Sequence, residues 1–144
     1  MKHYGSKLEF ENERNEDLMR AYHELIDSCD FISLHKIYEE VVNRPSSRFW
    51  VSPERASVVI SSMMRGEGLS AMRPTKREMF EELYQRTILM RRKYPSMSVY
   101  EIAFIVVHQP APKFYMTPKY AKSIIFYTKR KWYEEKKRKL RHLF

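Results

Sequence analysis

A chain of 144 residues with 43% hydrophobic side chains is the size of one ordinary domain and apolar enough to bury a core, which argues against wholesale disorder. Three glycines, one cysteine (Cys29) and five scattered histidines exclude glycine-rich phosphate loops, zinc ribbons and disulfide frameworks. Residues 1–72 hold 9 basic and 12 acidic side chains and residues 73–144 hold 18 and 6, so a first half of net −3 precedes a second half of net +12.

The predicted elements come in two matching series. Residues 11–61 align with residues 76–126 at a constant offset of 65, without a gap, and share twelve identities, well above the roughly three expected by chance. Leu18/Leu83, Ser33/Ser98, Ile37/Ile102, Pro45/Pro110, Phe49/Phe114, Pro53/Pro118, Ala56/Ala121 and Ile60/Ile125 are among them. The alignment predicts an internal duplication and therefore two readings of each element.

The first element is an amphipathic helix over about 12–28, with Leu18, Tyr22, Leu25, Ile26 and Cys29 recurring at three- and four-residue steps. Ser33 caps a second, shorter helix carrying Leu34, Ile37, Tyr38, Val41 and Val42 on one face. A proline-containing loop leads to Ser52-Pro53, a hydroxyl cap followed by a residue with no N–H to leave unsatisfied, and so to a third helix with Ala56, Val59, Ile60 and Met63 inward. Gly66, Gly68 and Pro74 mark a linker over Arg65–Arg73. The series then repeats. A helix over 76–93 with Thr75 and Glu78 at capping-box spacing carries Met79, Leu83, Thr87, Met90 and Tyr94 inward. A short helix opens at Ser98, with Glu101 three residues on. A last helix opens at Thr117-Pro118 and runs to about residue 140, with Ala121, Ile124, Ile125, Thr128 and Trp132 inward.

The reading is all-α: residues 1–72 form a first, acidic three-helix repeat and residues 73–144 a second, basic one, both within one compact structural domain. Helix, helix, connection, helix is the order of trihelical DNA-binding units, whose third helix enters the major groove. The connection over 43–52 or 108–117 is longer than the three or four residues of a standard helix-turn-helix, so the likeness is distant.

Candidate contacts follow from charge. The paired segments Arg48-Phe49-Trp50-Val51-Ser52-Pro53 and Lys113-Phe114-Tyr115-Met116-Thr117-Pro118 set a cation and two aromatics before a helix N-terminus, where free N–H groups favour anions. Arg48, Arg55, Lys113, Tyr115, Thr117 and Lys119 are therefore candidate phosphate contacts, while Phe49 and Phe114 read as core plugs. On the last helix Lys122, Lys129, Arg130, Lys131, Trp132, Lys136, Lys137, Arg138, Lys139 and Arg141 interleave cations with aromatics, the composition of a nucleic-acid contact. Catalysis has little support. His23-Glu24-Leu25-Ile26-Asp27 fails the HExxH zinc spacing at its last ligand, Cys29 sits on an inner stripe, and neighbouring carboxylates such as Glu39-Glu40 point apart on a helix. No metal, cofactor or membrane partner is expected. Residues Met1–Lys7 lack the apolar run of a secretory leader, and one unpaired cysteine suits a reducing cytoplasm.

In the paired segments Pro45–Pro53 and Pro110–Pro118, and in the ending Lys131-Trp132-Tyr133-Glu134-Glu135-Lys136, the chain resembles short basic helical proteins of Bacteroides-type bacteria and their phages or mobile elements, over its full length. The resemblance implies a prokaryotic cytosolic setting and brings no functional residues with it. The expectation is a non-catalytic nucleic-acid-binding protein, with DNA favoured over RNA, in which residues 73–144 alone retain most of the binding. The alternative is a scaffold or assembly protein of a phage or mobile element whose basic face meets an acidic protein.

Overall fold

The computed structural model describes residues 4–143, with side chains from Phe10 onward; Met1, Lys2, His3 and Phe144 lie outside the described residues. Six helices make up the fold: α1 (Tyr4–Ser28), α2 (Leu34–Val42), α3 (Pro53–Met64), α4 (Pro74–Lys93), α5 (Val99–Val107) and α6 (Pro118–Leu143). No strand forms among the described residues. Helices α2 and α5 begin and end 65 residues apart, and α3 and α6 begin 65 apart, the offset that aligns the two halves of the sequence.

The caps explain these boundaries. Ser33 accepts from the His35 N–H (3.2 Å), Ser52 from Arg55 (3.1 Å), Ser98 from Glu101 (3.1 Å) and Thr117 from Tyr120 (3.1 Å). Each satisfies an otherwise unpaired donor of a first helical turn. The Ser98 hydroxyl also donates to the Glu101 carboxylate at 3.2 Å. Two boundaries differ from expectation. Thr75 is not the cap of α4: the helix starts one residue earlier, at Pro74, whose fixed φ is already helical, and Arg73 occupies the cap position without a side-chain bond. Helix α1 begins at Tyr4 instead of near residue 12.

Packing does not follow the two halves of the sequence. One core joins α3, α4 and α5 through Phe49, Ile60, Phe80, Leu83, Ile102 and Val106; the other joins α1, α2 and α6 through Leu18, Met19, Leu25, Val41, Phe114 and Ile125. Among the described residues α3 packs against neither α1 nor α2, and α6 against neither α4 nor α5. The three helices of each half of the sequence therefore do not form a packing unit. The third helix of each half packs in the other half's core, as in domain swapping but within one chain: the consecutive α3, α4 and α5 pack together, and α6 returns to α1 and α2.

The crossing occurs at the loops 43–52 and 108–117. Ser46 and Ala111 exchange N–H···O bonds of 2.9 Å in both directions, an isolated antiparallel bridge. Beside it the Phe49 N–H donates to the Val107 carbonyl (3.0 Å) and the Phe114 N–H to the Val42 carbonyl (2.9 Å). Backbone groups that a long loop would leave to water are paired loop to loop, and Phe49 and Phe114 are directed into opposite cores. Both act as the expected plugs.

Some stripe positions fall outside the cores. Leu34 (79% exposed), Tyr94, Trp132 and Ile26 hold stripe positions but are exposed. Trp132 instead stacks on His23 of α1, centroids 6.3 Å apart.

A buried carboxylate fixes the first crossing. Asp17 on α1 accepts from the Ser47 N–H (2.8 Å) and from Arg20 Nε (2.9 Å), while Arg20 also donates to the Pro45 carbonyl (3.3 Å). The Ser46 hydroxyl accepts from Trp50 Nε1 (2.8 Å) and shares its proton between the Arg48 carbonyl (2.8 Å) and Asp17 (3.1 Å). Burial pushes the Asp17 carboxyl up, but the Ser47 N–H and Arg20 outweigh it, and the group titrates below its ordinary value. A depressed folded pKa adds stability above the unfolded value, about 3.9, and loses it as pH falls through the folded one. Asp17→Ala should therefore cost about 2 kcal/mol at pH 7 in urea unfolding, by removing charge-assisted bonds to buried groups. The difference from wild type should shrink as pH falls below about 4, where the unfolded-state carboxyl takes up its proton first, and should vanish once pH passes the lower folded value; a gap unchanged at low pH would contradict the charged latch.

Candidate nucleic-acid interface

Helix α6 is built in two parts. From Pro118 to Thr128 it is a packed helix, with Ala121, Ile124, Ile125 and Thr128 buried against α1 and α2. From Lys129 to Leu143 every side chain is exposed. Helix α1 runs alongside in the same direction, as the pairs Arg14–Tyr120 (3.2 Å), Tyr22–Lys129 (2.8 Å) and His23–Trp132 show. Trp132 makes the last ring contact with α1, and residues 133–143 continue for about 16 Å at 1.5 Å per residue with every described side chain exposed.

Ten lysines and arginines lie on α6 against two glutamates, Glu134 and Glu135. Among the described residues none of these cations forms an ion pair. Where they touch the protein they touch rings. Lys122 lies over Tyr38 (5.9 Å) and Phe126 (5.6 Å), Lys129 over Tyr22 (4.5 Å) and Lys137 over Tyr133 (4.7 Å). A ring face holds an ammonium stem in place without neutralising it, so the charge stays available to a partner. Burial, with Tyr22 next to it, pushes the Tyr38 phenol up and keeps it a neutral platform under Lys122.

The structure brings Thr117, Lys119, Lys122, Lys129, Arg130, Lys131, Trp132, Lys136, Lys137, Arg138, Lys139 and Arg141 onto this one helix. The other sequence candidates lie elsewhere and are engaged differently. Arg48 donates to the carbonyls of Phe49 and Val51 (3.0 Å each) and packs over Phe10 (4.5 Å) and Trp50 (5.3 Å), bracing the crossing loop. Lys113 is ion-paired with Glu78 of α4. Tyr115, at φ 55°, stacks on Phe49 at 5.9 Å. Burial and the adjacent Glu82 and Glu78 push its phenol up to about 12, so it stays protonated. Arg55 is exposed on α3, which does not pack on α6.

Glu78, Glu81, Glu82, Lys113 and Tyr115 line an open notch of about 420 Å³ between α4 and the second crossing loop, in which Glu78 pairs with Lys113 and Glu82 with Arg86. Among the described residues no three His, Cys, Asp or Glu side chains gather as a metal would require, and no helix is long and apolar enough to cross a membrane. The Asp17–Arg20 latch carried no local signal, because its partners Ser46 and Ser47 come from about thirty residues away.

No protein-family model, curated protein or solved structure matches this chain.

Proposed function

We propose that this protein binds nucleic acid without catalysing a reaction on it, that its ligand is duplex DNA, and that α6 supplies the affinity. The observation that carries the reading is the run of exposed, unpaired cations along α6, half of them beyond Trp132. Each such cation that meets a phosphate releases condensed counterions, which drives binding and makes it salt-dependent. Arg48, Lys113 and Tyr115 are assigned to the crossing loops and the notch, leaving α6 as the phosphate-facing element. We further read the two halves as copies of one duplicated unit, supported by the 65-residue register of α2 with α5 and by the reciprocal bridge between Ser46 and Ala111. On that reading the first copy became the acidic support and the second acquired the cationic helix.

Fluorescence anisotropy of the full-length protein against labelled duplex DNA, single-stranded DNA and RNA, between about 50 and 300 mM salt, tests this. Micromolar or tighter binding with a steep salt slope, strongest for duplex DNA, is expected. Absence of binding at low salt would contradict it.

A second reading has its own observation. Helix α5 is apolar on both sides, and Tyr100, Phe104 and Ile105 remain exposed, with Val58 exposed on the adjoining α3. Exposed apolar groups of this kind mark protein contacts, which suits a scaffold or assembly protein whose basic helix meets an acidic partner. Equal binding to polyglutamate and to DNA of matched charge would favour it.

A further inference from the structure

The two parts of α6 distribute their charge differently, and this bears on how the helix would meet DNA. On the packed part the cations are confined to the outward side, because α1 and α2 take the other. Beyond Trp132 no such restriction applies. Successive helical residues stand about 100° apart, so Lys136, Lys137, Arg138 and Lys139 alone encircle the helix, and Arg141 adds a further cation one turn on. A helix lying along the outside of one phosphate backbone uses a single stripe, and the remaining cations of such a ring would face water. A helix seated between two backbones uses cations on both flanks and on the side that faces the base edges, so more of the ring is engaged.

We propose that the projecting turns of α6, residues 133–143, enter the major groove of B-form DNA, with cations on opposite flanks contacting the phosphates of both strands. This inference rests on the DNA-binding reading above. The dimensions agree: a helix with side chains is about 10–12 Å across, and the B-form major groove is about 12 Å wide. The A-form major groove of duplex RNA is deep and narrow and does not admit such a helix. Glu134 and Glu135 precede Arg138 and Lys139 by four residues, the order that favours helix formation, so the acidic pair supports the projecting turns. Trp132 and Tyr133 are 44% and 60% exposed and stand where the helix would leave the groove.

The groove itself is the variable to test. The full-length protein is titrated by anisotropy against one short duplex sequence in three forms: plain DNA, DNA whose cytosines carry glucosylated hydroxymethyl groups that fill the major groove, and the corresponding RNA duplex. Netropsin, which occupies the minor groove, is added to the plain DNA complex as a competitor. The expected result is binding to plain DNA, loss of at least about tenfold on the glucosylated duplex and on RNA, and no displacement by netropsin. Equal affinity for plain and glucosylated DNA, or displacement by netropsin, would overturn groove entry while leaving DNA binding intact. No binding to any duplex would overturn the DNA-binding reading itself.

Discussion

Removing residues 133–144 from the otherwise intact protein is expected to weaken duplex DNA binding on the order of a thousandfold near 100 mM salt. The deletion takes away Lys136, Lys137, Arg138, Lys139 and Arg141, none of them ion-paired, and leaves both cores whole. If all five meet phosphates, the slope of log affinity against log salt falls in magnitude by about 4.5. The melting temperature should stay within a degree or two of wild type, because the described side chains beyond Trp132 are all exposed. Replacing the five with glutamine in the full-length chain should reproduce the loss of affinity and slope. An unchanged slope would remove the projecting turns from the interface. A large fall in stability would mean that they support the body.

Dividing the chain between residues 72 and 73 should leave two fragments that fold only together. The sequence pattern favours the opposite expectation, since helix, helix, loop, helix reads as a unit and the cut falls in the linker between α3 and α4. In the folded protein, however, α4 and α5 are closed by α3 and its preceding loop, through Phe49, Val51, Val59 and Ile60. Helix α6 has no core without α1 and α2. At about 2 kcal/mol for each large apolar side chain, losing those four removes about 8 kcal/mol from one core, which matches the whole stability of a typical domain. Fragment 73–144 should therefore show little cooperative unfolding alone and recover helicity and a sharp melt on mixing with fragment 1–72. On this topology residues 73–144 alone are not expected to retain the binding, although their last helix remains the proposed binding element. Two separately cooperative fragments that do not associate would contradict the exchanged packing.

Which parts of this arrangement were legible follows from how local their causes are. Ser33, Ser52, Ser98 and Thr117 act within one turn of themselves, and all four helix starts stand where the sequence places them. The linker Arg65–Arg73 was readable from Gly66, Gly68 and Pro74 for the same reason. The exchange of α3 and α6 was not, because an amphipathic stripe specifies that a face is buried and says nothing of which helix buries it. That choice is made by loop-to-loop bonds such as Ser46 with Ala111, between residues 65 apart, and by the Asp17 latch. Arg48, Lys113 and the α6 lysines look alike in sequence. What separates them is company, two carbonyls and two rings for Arg48, Glu78 for Lys113, and solvent for most of α6. Trp132 keeps the period of the buried stripe, but it lies against His23 of α1 and stays 44% exposed.

The central claim, that α6 and not the protein's cationic residues at large receives the phosphates, is tested most directly by mapping backbone amide NMR shifts of the full-length protein during titration with a short DNA duplex. Salt-sensitive shifts running from Thr117 through the C-terminal turns, with α3 and the notch on α4 unmoved, are the result expected. Shifts centred on Arg48, Arg55 and Lys113, with α6 unmoved, would contradict the account.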